Sequence, residues 1–143
     1  MSRPANAESQ IEISAEPGIV WDVITAIESW PNWNKDVRNA VLHGPLAEGT
    51  TFTWKAGPGT VTSRFARLER PTTIVWTGKT LGVTAEHTWR LQSIDGGTRV
   101  NTEESWVGLL VTLLRGTMTK ALQKALDDGL KYLKIEAEGS VQS

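Results

Sequence analysis

The period of the apolar residues changes twice along this chain of 143 residues, near Val37 and at Gly108, and that restricts the fold more than any motif does. Between those points lie six segments, near 37–43, 50–56, 59–69, 73–79, 83–93 and 98–107. The breakers Gly44-Pro45, Gly57-Pro58-Gly59, Arg70-Pro71 and Asp95-Gly96-Gly97 fall among them. Short segments bounded by turn residues at this spacing predict an antiparallel meander. Segment 83–93 alternates most cleanly, with Val83, Ala85, His87, Trp89 and Leu91 on one side and Thr84, Glu86, Thr88, Arg90 and Gln92 on the other. One apolar face and one wet face describe a sheet covered on a single side.

Helical spacing takes over after Gly108 and runs to about Glu138. Leu110, Leu114, Met118, Ala121, Leu122, Ala125, Leu126, Leu130 and Leu133 form its apolar stripe. A helix of that length has to lie on something, and the one-sided sheet is the available partner. Ahead of the meander, Gln10–Ala15 alternates as a first strand with Ile11 and Ile13 on one side. Pro17 opens a helix at the position where proline is best tolerated, and Val20, Val23, Ile24 and Ile27 make its buried stripe. Ser29–Asn34 suits a second short helix. The expectation is an α+β protein with one domain over residues 9–138, flanked by flexible tails at 1–8 and 139–143.

Composition removes several function classes. Fifteen Lys and Arg against sixteen Asp and Glu leave a net charge of −1, with no electrostatic footprint for nucleic acid. Without cysteine there is no disulfide, thiolate nucleophile or Cys-ligated zinc. His43 and His87 have no ligand spacing around them, so no metal and no cofactor are expected. Met1–Gln10 lacks the apolar core of a signal peptide, and the apolar run Val107–Leu114 is too short for a bilayer. These features point to a cytoplasmic protein without stable membrane insertion, either monomer or homodimer.

Seven tryptophans carry the functional signal. Trp54, Trp76, Trp89 and Trp106 fall one each on four successive predicted strands, and Trp21, Trp30 and Trp33 precede them. Tryptophan is an awkward filler for a small core because its indole N–H needs a partner when buried. Each one alone reads as packing; the group reads as the wall of a cavity for an apolar molecule.

One polar pair follows from register. With the turn centred on Asp95-Gly96, facing residues have numbers that sum to 191, so Leu91 meets Val100, Trp89 meets Thr102 and His87 meets Glu104. A histidine oriented by a carboxylate is a candidate general acid or base. Proton transfer also requires a third, substrate-positioning group, which the sequence does not name, so the pair reads first as a structural contact or as a hydrogen-bonding point for one polar ligand atom.

The order strand, two short helices, meander and long helix resembles the Bet v 1-like or START-like (SRPBCC) helix-grip fold. Trp30-x-x-Trp33, Ile74-Val75-Trp76-Thr77-Gly78, His87-Thr88-Trp89, Gly97-Thr98-Arg99-Val100 and Glu104-Ser105-Trp106-Val107-Gly108 are similar to the bacterial polyketide cyclase/dehydrase and lipid-transport family. That resemblance implies a curved antiparallel sheet of about seven strands wrapped around the C-terminal helix, with a cavity between them. It also implies a ligand-binding set of Trp33, Phe52, Trp54, Trp76, His87, Trp89, Glu104, Trp106, Leu110, Leu114, Met118 and Leu122. Three functions follow in order of support. The first is binding of a hydrophobic small molecule such as a lipid or polyketide. The second is a cyclase or dehydratase using His87 and Glu104. The third is a chaperone-interacting domain of the Hsp90-activator type.

Overall fold

Seven antiparallel strands form a single sheet in the computed structural model, which describes residues 4–142. The strands are β1 (Ala5–Ile13), β2 (Asn39–Leu42), β3 (Thr51–Ala56), β4 (Gly59–Glu69), β5 (Thr73–Thr80), β6 (Val83–Ile94) and β7 (Gly97–Val107). Their spatial order is β1-β7-β6-β5-β4-β3-β2. The meander therefore runs through neighbours from β2 to β7, and β1 closes the far edge against β7. Helix α1 (Pro17–Thr25), a 3-10 turn at Ile27–Ser29 and the short helix α2 (Trp30–Trp33) connect β1 to β2. Helices α3 (Leu109–Leu113) and α4 (Arg115–Gln142) follow β7.

Three boundaries differ from the sequence expectation. The first strand begins at Ala5, not Gln10, and pairs along β7 from Ala5↔Trp106 to Ile13↔Thr98. Its early inward residues, Ala5 and Ala7, are buried but small, so the alternation carries little hydrophobic signal. Residues 5–8 are thus strand rather than tail, while the tail expected at residues 1–3 and 143 lies outside the described residues. The C-terminal helix continues to Gln142, beyond the expected Glu138. It is also divided at Leu114 (φ −117°, ψ 30°). Val111 is fully buried and anchors α3 over the sheet end, whereas α4 has to turn to run along β1. Gly116, a poor helix former, sits beside that break.

α4 is fastened to the edge strand by polar contacts on one flank. The Gln123 amide donates to the Glu8 carbonyl (2.9 Å), the Ser9 hydroxyl to Asp127 (2.6 Å), Lys134 to the Glu12 carbonyl (2.8 Å) and the Ser14 N–H to Glu138 (2.8 Å). Its buried stripe is Leu122, Leu126, Leu130, Leu133 and Ala137. Ala121 and Ala125, expected in that stripe, are exposed, because the helix is rotated toward β1. Inward residues of α1 (Val20, Trp21, Ile24) complete the core.

Candidate functional site

The register arranges the concave face in rows that cross the sheet. One row reads Phe65, Trp76, His87, Glu104, Ala7; the next reads Leu68, Ile74, Trp89, Thr102, Ser9. A bulge between Phe65 and Arg67 lets both Phe65 and Leu68 face inward, although their spacing breaks strict alternation. A third row, Phe52, Ser63, Gly78, Ala85, Trp106, places three small residues between two aromatic ones. The pairing His87↔Glu104 is the one that the hairpin count predicts.

The aromatic side chains pack on one another. Trp76 lies 5.4 Å from Trp30, 5.6 Å from Phe52 and 6.0 Å from Trp89 between ring centroids. Trp30, left out of the expected set, joins this cluster: it also meets Phe52 and Trp54 edge-on and donates its indole N–H to the Ile24 carbonyl (2.9 Å). The Trp54 indole donates to the Ser63 hydroxyl (3.1 Å). Phe52 and Trp76 are therefore core residues as much as candidate wall residues.

His87 and Glu104 form a buried polar island inside this apolar face. The imidazole stacks on Trp89 (4.8 Å) and meets the Trp76 ring at 5.0 Å. Its Nδ1 lies 3.1 Å from Glu104 Oε1, and its Nε2 lies 2.6 Å from Thr102 Oγ1. The other Glu104 oxygen accepts the Trp106 indole N–H at 2.6 Å. Burial disfavours charge on both groups, lowering His87 to about 3 and raising Glu104 to about 7, the latter partly offset by the Trp106 hydrogen bond. The set is coherent in either protonation state of the carboxyl. Ionised Glu104 accepts from Nδ1–H while Nε2 accepts from Thr102; protonated Glu104 donates to Nδ1 while Nε2–H donates to Thr102. Moving one proton onto Glu104 therefore switches the imidazole tautomer.

Two indole donors stand apart. The N–H groups of Trp33 and Trp89 are buried and find no acceptor among the described residues. An unmet buried donor costs about 1–3 kcal/mol, which a bound acceptor would relieve. Trp33 lies on α2, and two residues on, Lys35 sits 6.0 Å above the Tyr132 ring of α4. That places α2 across the flank of α4 opposite the β1 contacts. On this flank Ala121 and Ala125 are exposed, and a Cβ added at Gly129 would meet nothing within 4 Å.

The remaining expected residues separate into two groups. Leu122 is fully buried, packing with Ala7, Leu126 and Trp106, and Met118 is half-buried. Leu110 and Leu114 are 38% and 47% exposed and lie at the end of the molecule, away from the His87 island. A hollow of about 500 Å³ opens at β1, β7 and β6, lined by Asn6, Glu8, Glu86, Thr88, Glu103 and Ser105 of the convex side together with Ala7 and Glu104 of the concave row and Gln123 of α4. Its glutamates suit no apolar molecule. Sequence reasoning missed Thr102 as the second partner of His87, and the small residues Ser63, Gly78 and Ala85; their signal was the row register alone. Among the described residues no cluster of three His, Asp or Glu is placed to hold a metal ion.

Comparison with known proteins gives a consistent picture. Residues 4–138 match a family described as polyketide cyclase / dehydrase and lipid transport. No curated protein matches significantly. Among solved structures, the Zhui aromatase/cyclase from Streptomyces sp. R1128 is similar at a TM-score of 0.83 and 16% identity, over 97% of this chain and 96% of that one. A START superfamily protein from Mycobacterium smegmatis is similar at 0.70 and 14% identity, over 96% and 97%. The di-domain ARO/CYC StfQ of the steffimycin biosynthetic pathway is similar at 0.82 and 14% identity, over 98% of this chain and 53% of that one. At such identities these likenesses establish the helix-grip fold and nothing finer.

Proposed function

The chain belongs to the polyketide cyclase / dehydrase and lipid transport family, and from that premise we propose that it binds an apolar small molecule carrying a carbonyl or hydroxyl group. The molecule lies between the concave face and the open flank of α4, entering past α2. The observation that carries this reading is the polar set on an aromatic face: His87, Glu104 and Thr102 beside the unmet indole donor of Trp89, with a second unmet indole donor, Trp33, on α2. An apolar site with a few convergent polar groups fixes the orientation of a hydrophobic ligand. The small residues Ala125 and Gly129 leave room along the helix.

Tryptophan fluorescence titrations with a hydroxyanthraquinone and with its parent hydrocarbon test this. The oxygenated ligand should bind about tenfold more tightly, and Trp89→Phe should remove most of that preference while keeping the ring. Equal affinity for the two ligands, or no quenching by either, would sink the proposal.

A second reading adds chemistry at the same place. Glu104, raised to about 7, is divided between its protonated and ionised forms near neutral pH and is coupled to an imidazole; the ionised form suits proton abstraction beside a ligand carbonyl in an aldol-type cyclisation, the carboxyl taking the proton. Under this reading His87→Gln and Glu104→Gln abolish turnover of a linear poly-β-ketone while leaving product binding within a few-fold. Full turnover in both variants refutes it.

A further inference from the structure

The apolar core is in two parts. A small cluster of Ala7, Leu122 and Leu126 with Trp106 stands apart from the large one, and polar side chains fill the gap between them. On β1, Ser9 lies between Ala7 and Ile11; on β7, Glu104 and Thr102 lie between Trp106 and Val100; on α4, Asp127 lies between Leu126 and Leu130. His87 enters the same seam from β6, opposite Glu104. A polar seam through a core costs stability that apolar side chains of similar size would not.

The contacts along the seam form one sequence. Glu104 Oε1 lies 3.1 Å from His87 Nδ1, and His87 Nε2 lies 2.6 Å from Thr102 Oγ1. Thr102 faces Ser9 directly across the β1–β7 ladder, which puts their Cβ atoms about 4.5–5.5 Å apart. Hydroxyls turned toward each other close such a gap to hydrogen-bond reach. The Ser9 hydroxyl donates to Asp127 at 2.6 Å, and Asp127 is half-buried, with access to water on α4. We propose that Thr102, Ser9 and Asp127 form a proton path between the buried His87–Glu104 pair and solvent.

A hydroxyl both donates and accepts, so Thr102 and Ser9 can each pass a proton on, and imidazole is a natural shuttle. Outward from protonated Glu104, its proton goes to Nδ1 and the Nε2 proton goes to Thr102. The Thr102 proton then goes to Ser9, and the Ser9 proton to the Asp127 carboxylate. Every O–H or N–H bond broken is matched by one formed, and Asp127 releases its proton to water. The reverse shift reloads Glu104, and the imidazole is neutral before and after. Other charged groups stay out of the seam. Those of β1, β5, β6 and β7, Glu104 apart, alternate onto the convex face. Asp22 of α1 pairs with Arg70, Lys124 and Lys134 of α4 pair with Asp128 and Glu138, and Lys131 is exposed.

The rate at which the His87 imidazole proton exchanges with water tests this, read by NMR on protein labelled with 15N-histidine. A His43→Gln background leaves His87 as the single histidine. Ser9→Ala cuts the path, and Asp127→Asn keeps an acceptor for Ser9 but removes the group that takes the proton. Each should slow exchange by about tenfold or more, because the proton must then wait for local opening. Ser9→Thr, which restores the hydroxyl, should exchange like the parent. A merely structural role moves the rate the other way, since loosening α4 from β1 speeds opening. Lys134→Gln, which removes a different α4–β1 contact, should accordingly not slow exchange. The proposal is overturned if either Ser9→Ala or Asp127→Asn exchanges as fast as the parent or faster, or if Lys134→Gln slows exchange equally. No ligand is present in these measurements, so failure here leaves the ligand reading standing.

Discussion

Glu104 and His87 are shifted in opposite senses, and this gives their pH behaviour a recognisable form. Glu104 rises from 4.5 to about 7 on folding, so its contribution to stability is complete below pH 4.5 and is lost as pH climbs through 7. His87 falls from 6.5 to about 3, so its contribution is complete above pH 6.5 and is lost as pH drops through 3. Between 4.5 and 6.5 the two slopes oppose each other, and the parent protein should show nearly level stability there. Glu104→Gln removes one side of the balance, and its stability should rise with pH over that window. His87→Gln should show a fall over the same range. Denaturant midpoints at a series of pH values measure both, and parallel profiles for the three proteins would mean the pair is not buried as described. The pair itself was legible beforehand because a two-residue Asp95-Gly96 turn fixes the register of every position beyond it. Thr102 as a second partner was not, since a diagonal contact depends on side-chain rotamer rather than register.

At the level of single elements, α4 combines a firmly packed stripe with a loose flank. Leu133 is fully buried, and Leu133→Ala should destabilise the protein by about 2–5 kcal/mol. Gly129 lies on the loose flank of the helix interior with nothing near its Cα hydrogen. Gly129→Ala should therefore stabilise by about 0.5–1 kcal/mol, as helix propensity alone dictates. Gly129→Leu should fold equally well and bind the hydroxyanthraquinone less tightly. Chemical denaturation together with the fluorescence titration separates the two effects; a strongly destabilised Gly129→Ala would show that the flank is closed. The strands and the long helix were readable from periodicity, which the core enforces over many residues. The start of β1 was not readable, because alanine and serine face inward there. The bulge at Phe65/Arg67 and the break at Leu114 also escaped, because each is a local response to the curvature of the sheet or the course of α4.

Considered whole, the molecule has one aromatic concave face and one polar convex face. Its family was legible from the order of elements and the placing of tryptophans, since both are set by the need to cover one side of a sheet. The identity of a bound molecule was not, since aromatic walls accept many apolar shapes. Trp30, Phe52 and Trp76 contribute to the core directly, so ligand binding has to add to a fold that already stands. The protein purified from its own host should therefore carry a ligand without needing one to fold. Native mass spectrometry of that material, with organic extraction of whatever co-purifies, tests the account most directly. The account predicts an added mass near one-to-one stoichiometry, belonging to an apolar compound with at least one carbonyl or hydroxyl oxygen. A bare protein mass, together with unchanged tryptophan fluorescence across a panel of lipids and polyketides, would contradict it.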